Sequence, residues 1–204
     1  MNCSLVNPRV FLLSSTHGGE TSALAAGLEV IKTYKKYDVI IHCAANSNLG
    51  NDDLSVAKFV EDNIILTHTL LELPHSYFIF ISSVDVYPDG TDCREDQNIS
   101  LSDLQDGYSI AKLMAESLVR VSSNNFLILR PSAMLGLDSR PNSLIKLFAE
   151  DSPQLSLSAN SIFNYILHDD VGKFIKGCIE KRIYGIFNLA SLDNVSLGDI
   201  VQKY

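Results

Sequence analysis

The sequence predicts an α/β fold in which helices cover both faces of a parallel sheet, a doubly wound arrangement. Short apolar runs that suit strands alternate with longer segments of helical periodicity, as expected for consecutive βαβ units. The runs 38–45, 77–81 and 126–129 are almost continuously apolar. Continuous rather than alternating apolar runs are typical of strands that are buried on both faces of a parallel sheet.

Further elements follow the same reasoning. Residues 22–37, 54–73 and 107–122 have helical patterns, and Pro74 ends the second of these helices. Beyond residue 130 the pattern is weaker. The remaining predicted elements are a strand at Val10–Leu13, a helix at 142–149, an extended segment at 162–167, a helix from Asp169-Asp170 to Arg182 with the two aspartates as its caps, a strand at 184–189, and a last helix that opens at the capping box Ser196-Leu-Gly-Asp199.

Composition narrows the function classes. With 204 residues and 46% hydrophobic content, the chain is long enough for one domain with a sizeable core. The net charge of −8, without a lysine or arginine cluster, argues against binding to nucleic acid or anionic membranes. The four cysteines have no metal or disulfide spacing, and we find neither a signal peptide nor an apolar run of the ~18 residues that a membrane span needs. We therefore expect a soluble cytoplasmic protein.

Tyr108 and Lys112 lie four residues apart at the start of the predicted helix 107–122. Such residues share one helix face, so the phenol and the ammonium can occupy one small volume. At about 4 Å and an effective dielectric of about 20 their attraction is roughly 4 kcal/mol, which would lower the phenol pKa from about 10 by up to about three units. The pair is a candidate proton-transfer device, although a surface helix with a snorkelling lysine has the same spacing.

Polar or small residues follow each of the three apolar runs. In open parallel sheets, ligands bind beyond the carboxyl ends of the strands. The segments at those ends are Ala44-Ala45-Asn46, Ser82-Ser83 and Arg130-Pro131-Ser132, and the helix of Tyr108 lies between the second and third runs in sequence. A hydroxyl, a phenol and an ammonium in one cleft are what a site needs to move a proton on or off a substrate oxygen while a cofactor moves a hydride.

These motifs, taken in order, resemble the extended short-chain dehydrogenase/reductases, the family that includes the NAD-dependent epimerases and dehydratases of nucleotide sugars. Asp38-Val-Ile-Ile-His-Cys-Ala-Ala45 resembles the family's D-V-V-I-H-x-A-A strand, and Ile81-Ser-Ser-Val-Asp-Val-Tyr87 its S-S-x-x-V-Y segment. Further matches are Asn63 in a helix, the Y-x-x-x-K pair Tyr108 and Lys112, Glu95-Asp96, Ala115-Glu116, Leu129-Arg-Pro131, Leu135-Gly136, His168-Asp-Asp-Val171 and Phe187-Asn188. No single motif is specific, but their joint order and spacing is.

The resemblance implies a Rossmann-like fold with NAD or NADP as cofactor, a nucleotide-activated sugar as substrate, and a possible homodimer. It implies a single domain over residues 1–204, with the core sheet in about 1–135 and a mixed core and small C-terminal substrate lobe in about 136–204. No metal is implied. The implied catalytic residues are Ser83, Tyr108 and Lys112, and the implied cofactor-binding residues are Ala44, Ala45, Asn63, Lys112, Pro131 and Ser132.

The sequence departs from the family at its beginning. Family members open with a strand and a G-x-x-G-x-x-G turn, whose glycines let the backbone approach the cofactor pyrophosphate. The nearest candidate, Leu13-Ser-Ser-Thr-His-Gly-Gly-Glu-Thr21, keeps one glycine in register. Alternatively, Val10–Leu13 is the family's third strand and the first βαβ is absent, which the short distance to Asp38 favours. The C-terminus also looks short, so the alternative function is that of a truncated or divergent member, an inactive or regulatory binding module without dinucleotide binding.

Some further residues carry more specific expectations. Dehydratases of the family have an acidic group at the position of Asp85, but Val84 replaces their other carboxylate, which argues mildly for an epimerase or a reductase. We expect Arg130 to be a paired structural charge, with cofactor contact left to the Pro131-Ser132 backbone, and His42 to be a satisfied core histidine. Asn63 is expected to bond either to the neighbouring loop or to the cofactor.

Overall fold

The structure of the chain is a computed structural model. It describes residues 9–13, 36–47, 53–90, 92–136 and 157–203, and single positions at 139, 144, 145, 147 and 154. The predicted helix 22–37 and most of the glycine-turn candidate 13–21 lie outside the described residues. Of the predicted helix 142–149, only 144, 145 and 147 are described, and these three are helical.

The strands are short, and the apolar runs account for the central ones. In chain order they are β1 (Val10–Leu13), β2 (Val39–His42), β3 (Phe78–Ile81), β4 (Phe126–Pro131), β5 (Ala133–Leu135), β6 (Ile162–Phe163), β7 (Tyr165–Leu167), β8 (Gly185–Leu189) and β9 (Val195–Ser196). Five of them form one sheet in the order β1-β2-β3-β4-β8, and the pairs from β1 to β4 are parallel. The predicted α/β fold with a parallel sheet is confirmed.

The helices also follow the predicted pattern. They are α1 (Asp53–Val60), α2 (Leu66–Glu72), α3 (Gly107–Ser122), α4 (His168–Lys181) and α5 (Leu197–Lys203), and a π-helical turn at Glu61–Ile65 joins α1 to α2. The predicted helix 107–122 is confirmed at both ends. Asp106 caps it because its carboxylate accepts the Ser109 N–H at 2.9 Å.

One predicted cap is wrong and another is confirmed. The helix expected to start behind Asp169-Asp170 already begins at His168, so both aspartates lie inside its first turn. There Asp170 pairs with Lys173 at 3.0 Å, and both carboxylates complement the helix dipole. At α5, Ser196 Oγ accepts the Asp199 N–H at 3.0 Å, as the capping-box motif predicts. The Ser196 hydroxyl also donates to the Asp199 carboxylate at 2.6 Å.

The core lies on the sheet face that α2 and α3 cover. Ile40, Phe78, Phe80 and Ile128 alternate along β2, β3 and β4, so their side chains project to one face. Against them pack Leu66, Leu70, Ala115 and Val119 from the two helices. The other face of the same strands holds Ile79, Leu127 and Leu129, which are fully buried as well. Burial on both faces is the reason that these runs lack a polar alternation.

The chain divides into two compact units. The first comprises Met1–Arg130 with Arg182–Phe187, and the second comprises Pro131–Lys181 with Asn188–Tyr204. Within the second unit β5 pairs in parallel with β7, and β6 pairs antiparallel with β9. The expectation of one domain with a core sheet up to about residue 135 and a lobe beyond it stays a prediction.

The neighbour of β1 bears on the two alternatives for the start of the chain. Val10 pairs with Val39 and Leu13 with His42, so β1 borders β2. In the order of doubly wound folds the first strand lies beside the fourth, whereas the third lies two strands further out. Three strands precede the D-V-V-I-H-x-A-A strand in the family, so β2 corresponds to its fourth strand. β1 therefore has the neighbour of a first strand, not that of the third strand which the favoured alternative assigned to Val10–Leu13, and the described residues contain no strand beyond it. None of the described helices is both long and apolar enough to cross a membrane.

Candidate active site

The parallel register brings the carboxyl ends of β2 and β3 to one edge of the sheet. His42 of β2 lies opposite Phe80 of β3, so the residues that follow each strand leave the sheet side by side. Those residues are Ala44 and Ala45 after β2, and Ser82 and Ser83 after β3. The predicted convergence of these two segments is therefore present in the fold.

Lys112 reaches this edge from α3. Its Nζ donates a hydrogen bond of 2.7 Å to the carbonyl oxygen of Ile81, the last residue of β3, and the residue is only 4% exposed. The same Nζ lies 4.8 Å from the centroid of the Phe80 ring and 5.7 Å from that of the Tyr108 ring. A buried ammonium is costly unless it has partners. The fold thus holds the ammonium of Lys112 near the ring of Tyr108, as the spacing predicted, and the alternative of a snorkelling surface lysine is wrong.

Ser83 is oriented by a local turn. It is the N-cap of a single 3-10 turn at Val84–Val86, and its Oγ accepts the Asp85 N–H at 3.2 Å. The hydroxyl in turn donates to the Asp85 carboxylate at 2.9 Å. Ser83 Oγ then keeps one lone pair for a further donor, because its proton and one lone pair are in use. The neighbouring Ser82 Oγ is buried, and within the described part of the chain it has no hydrogen-bond partner.

Asn63 holds the segment that follows β2. Its Oδ1 accepts the Asn46 N–H at 3.1 Å, and its Nδ2 donates to the carbonyl oxygens of Asn46 and Phe59, each at 2.9 Å. The residue is buried inside the π-helical turn, a rare backbone form that often occurs at functional sites. Of the two predicted roles the structure shows the bond to the neighbouring loop, on which Ala44 and Ala45 lie.

A chain of hydrogen bonds continues from Asn63 into the core. Thr67 Oγ1 donates to the Asn63 carbonyl at 2.6 Å and lies 2.9 Å from His42 Nε2. The Thr67 hydroxyl already donates its proton to the Asn63 carbonyl, so His42 Nε2 must donate to Thr67 Oγ1. His42 Nδ1 is therefore the unprotonated nitrogen. Burial, and secondly the charge of Lys112, lower the pKa of His42 to about 3. Among the described residues His42 Nδ1 has no hydrogen-bond partner, so the expected core histidine is only half satisfied.

The thiol of Cys43 lies close to the same charge. Burial raises its pKa to about 11, against the smaller opposing effect of Lys112. A thiol with a raised pKa is a poor nucleophile at neutral pH, since the thiolate is the reactive form. The structure gives this cysteine no catalytic chemistry.

Arg130 lies in a buried cluster with Glu116 and Tyr87. Its Nε and Nη2 bond to the two carboxylate oxygens of Glu116 at 3.0 and 2.7 Å, and its Nη1 donates to the Tyr87 hydroxyl at 2.7 Å. Burial acts to lower the arginine pKa, but the hydrogen bonds and charge of Glu116, helped by Tyr87, outweigh it and raise the pKa. The structure places Arg130 in a structural ion pair, as expected. The spacing 108, 112, 116 indicates that Glu116 shares a helix face with Lys112, but its pairing with Arg130 follows only from the fold.

Pro131 and Ser132, the last two residues implied to bind the cofactor, follow Arg130. Pro131 ends β4, and both residues are buried. The Ser132 N–H donates to the Leu189 carbonyl at 2.8 Å. Its Oγ has no hydrogen-bond partner in the part of the chain that the structure describes. Among all described residues of the chain, no cluster of three or more His, Cys, Asp or Glu side chains could hold a metal ion.

The parallel sheet, with a lysine and a tyrosine on one helix at its carboxyl edge, defines a Rossmann-like α/β protein with a candidate proton-transfer site. The chain matches the model of the NAD dependent epimerase/dehydratase family over residues 5–189 and belongs to that family. The resemblance of the motifs to this family is thereby confirmed.

Curated relatives agree with the family. The chain is 27% identical to a dTDP-D-glucose 4,6-dehydratase from Dictyostelium discoideum over 200 aligned residues, which cover 86% of this chain and 46% of that protein. It is 26% identical over 99 residues to a UDP-glucose 4-epimerase from Cyamopsis tetragonoloba, covering 46% of this chain and 27% of that protein. The chain thus spans about half or less of the length of the curated relatives it matches.

Solved structures show the same fold. A UDP-glucuronic acid 4-epimerase from Bacillus cereus, in complex with UDP-glucuronic acid and NAD, superposes with a TM-score of 0.71 at 21% identity over 86% of this chain and 60% of that one. A dTDP-glucose 4,6-dehydratase from Bacillus anthracis in complex with NAD has a TM-score of 0.69 at 17% identity, covering 90% of this chain and 62% of that one.

Proposed function

We propose that the chain is an NAD(P)-dependent epimerase, reductase or dehydratase of a nucleotide-activated sugar. The observation that carries the proposal is the burial of Lys112 against the Ile81 carbonyl, with its ammonium beside the Tyr108 ring. A cation held in a poorly solvated place stabilises the phenolate of a neighbouring tyrosine far more than it would in water. In this proposal Tyr108 exchanges a proton with a hydroxyl or keto oxygen of the sugar, and Lys112 keeps that phenol acidic.

Ser83 has the complementary role of fixing the reacting oxygen. The Ser83 hydroxyl already donates its hydrogen bond to the Asp85 carboxylate. Ser83 Oγ can therefore act only as an acceptor toward a hydroxyl of the substrate or of Tyr108. In relatives with a dehydratase name the reaction includes loss of water. Val84 stands where the resemblance places one of the two dehydratase carboxylates, which favours an epimerase or a reductase.

The edge of the sheet fits a dinucleotide cofactor. Ala44 is small and buried after β2, so the backbone there can approach a ligand closely. The Ser82 hydroxyl, buried and without a partner among the described residues, could bond to a polar group of the ligand. In the proposal Ala44, Ala45 and Lys112 hold the cofactor, while Asn63 positions the loop of Ala44 and Ala45. Pro131 and Ser132 belong to the second unit, and their cofactor contact stays a prediction. When bound, NAD or NADP supplies the hydride carrier for the reaction.

Replacing Tyr108 by Phe tests the assignment. Because positioned general acid–base groups contribute about 10²- to 10⁴-fold, we expect kcat to fall by at least about 10²-fold. Turnover of UDP-glucose, UDP-glucuronic acid and dTDP-glucose is followed by NADH fluorescence and by mass spectrometry of the sugar nucleotide, where loss of water identifies a dehydratase.

The matched control is Tyr184→Phe, which removes a hydroxyl from a tyrosine that packs against Tyr77. It is expected to keep the wild-type kcat. Unchanged turnover in Tyr108→Phe would exclude Tyr108 as the acid–base group. A wild-type chain that binds neither NADH nor NADPH would contradict the proposed function itself and support the inactive binding module.

A further inference from the structure

We infer that Arg130 is a positioning residue of the site, because its guanidinium ties the segment of Ser83 to the helix of Tyr108 and Lys112. The inference rests on the proposed function, since positioning presumes that these three side chains act together. Arg130 and both of its partners belong to the first compact unit. None of them is among the implied catalytic or cofactor-binding residues.

The first tie is to α3. Tyr108, Lys112 and Glu116 follow one another at intervals of four residues, so they form one stripe along the helix. Lys112 is anchored to the end of β3 through the Ile81 carbonyl, and Glu116 is anchored to β4 through the two-pronged bond with Arg130. Two anchors on successive turns, attached to two neighbouring strands, define how the helix is rotated about its axis. The direction of the Tyr108 side chain, one turn earlier, follows from that rotation.

The second tie is to the segment after β3. Tyr87 is the C-cap of the 3-10 turn that Ser83 caps at its other end, and its N–H donates to the Val84 carbonyl at 3.0 Å. Arg130 donates to the Tyr87 hydroxyl at 2.7 Å, and the guanidinium carbon lies 4.8 Å from the centroid of the ring. The turn that orients Ser83 is therefore held at its far end by the same guanidinium that holds α3.

The guanidinium is suited to this task by its geometry and its burial. Its donors project in a fixed planar fork, so bonds to Glu116 and Tyr87 also set the angle between the two partners. The side chains of Arg130 and Glu116 are 3% and 2% exposed, so a shift of either one would leave a buried charge unpaired. Glu116 alone neutralises the charge. The additional bond to Tyr87 contributes a link to the Ser83 turn that charge balance does not require.

The sharpest variant is Tyr87→Phe, which removes the link to the Ser83 turn and keeps both the aromatic ring and the Arg130–Glu116 pair. Its matched control is Tyr77→Phe, because the Tyr77 hydroxyl also donates a hydrogen bond, partly buried, to the Ile183 carbonyl. We expect both variants to lose similar thermal stability. Only Tyr87→Phe is expected to lower kcat, by about tenfold or more, with the NADH dissociation constant unchanged within about twofold.

A second readout separates this inference from the proposed function. In protein labelled with 13C at the tyrosine ring carbon that bears oxygen, the Tyr108 resonance is assigned by its loss in Tyr108→Phe and followed against pH. We expect the titration midpoint of Tyr108 to differ from wild type in Tyr87→Phe. The same is expected in Arg130→Lys, which keeps the positive charge but lacks the planar fork of guanidinium donors. In Tyr77→Phe the midpoint should be unchanged. This readout decides the inference even if the wild-type chain turns over no nucleotide sugar. If Tyr87→Phe matches Tyr77→Phe in both kcat and the Tyr108 titration, the inference is overturned.

Discussion

At the edge of the sheet, the burial of individual side chains affects whether they are protonated. Lys112 is buried, and its Nζ has a carbonyl partner and two aromatic neighbours. His42 on the adjacent strand stays neutral, because burial and, secondly, the charge of Lys112 lower its pKa to about 3. The same ammonium that is proposed to activate Tyr108 therefore adds to the effect of burial on the pKa of His42.

The depressed pKa of His42 makes stability depend on pH. In the unfolded chain the histidine titrates near 6.5, whereas in the fold its pKa is about 3. The unfolded state thus binds more protons on acidification, so the contribution of His42 is fully present above about pH 6.5 and is lost as the pH falls toward about 3. From about pH 7 to about pH 5 the expected loss is about 2 kcal/mol in the free energy of unfolding.

Urea denaturation of wild type and His42→Gln at these two pH values measures this loss. Glutamine can still donate to Thr67 but cannot titrate, so the variant should lose about 2 kcal/mol less than wild type on acidification. The control is His68→Gln, at an exposed histidine of α2. This variant should lose as much free energy of unfolding on acidification as wild type does. Equal acid sensitivity of wild type and His42→Gln would contradict the assigned pKa.

At the scale of elements, α3 is the part of the fold that holds the site together. Its N-cap, its buried stripe and its last turn are all contained in one local sequence, which is why the predicted bounds 107–122 matched the observed ones. The helix formed by α1, the π-helical turn and α2 was predicted as one regular helix. The π turn was not predicted, because it accommodates the buried Asn63 and its bonds to Asn46, a contact across 17 residues of sequence.

The N-cap of α3 offers a test at this scale. The Asp106 carboxylate accepts one hydrogen bond from the Ser109 N–H, at 2.9 Å, and another from the Ser109 hydroxyl. Asp106→Ala should lower the free energy of unfolding by about 1 kcal/mol, because a free helix donor loses its partner. Asp103→Ala, at an exposed aspartate of the preceding 3-10 turn Leu101–Asp103, is the control and should change stability by less than about 0.5 kcal/mol in urea denaturation. Equal losses in the two variants would mean that the cap contributes nothing.

For the whole molecule, stability is expected to be unevenly distributed over the sheet. β3 is paired on both sides and all four of its residues are buried. At β1, by contrast, Val10 and Leu12 are 45% and 60% exposed, and the strand has one partner among the described residues. Strands with two partners and a buried backbone open only with the whole core.

Native-state hydrogen exchange measures this distribution. The amides of β3 should exchange slowest, with protection near the global free energy of unfolding, whereas those of β1 should exchange through local opening at least about 10²-fold faster. The amides of β4, paired with β3 and β8, are the internal reference for a central strand. Protection of β1 equal to that of β3 would contradict the prediction and would show that β1 is an integral part of the core.

The order of elements, the bounds of α3 and the stripe of Tyr108, Lys112 and Glu116 could be predicted from the sequence. Apolar runs, helical periodicity and caps depend on residues within a few positions of one another, and the joint order of the motifs pointed to the family that the comparison then confirmed. The predicted caps Asp169 and Asp170 show the limit of this reasoning. Helix ends fray and are fixed only to within one or two residues, and the observed helix begins at His168, one residue before the predicted caps.

The long-range partners could be found only from the fold. The bonds of Lys112 to the Ile81 carbonyl, of Arg130 to Glu116 and Tyr87, and of His42 to Thr67 join residues 14 to 43 positions apart. The neighbour of β1 is likewise a matter of strand pairing, which apolar patterns leave open. Which of several buried polar groups meet depends on how helices pack on the sheet, because each group must find a partner once water is excluded.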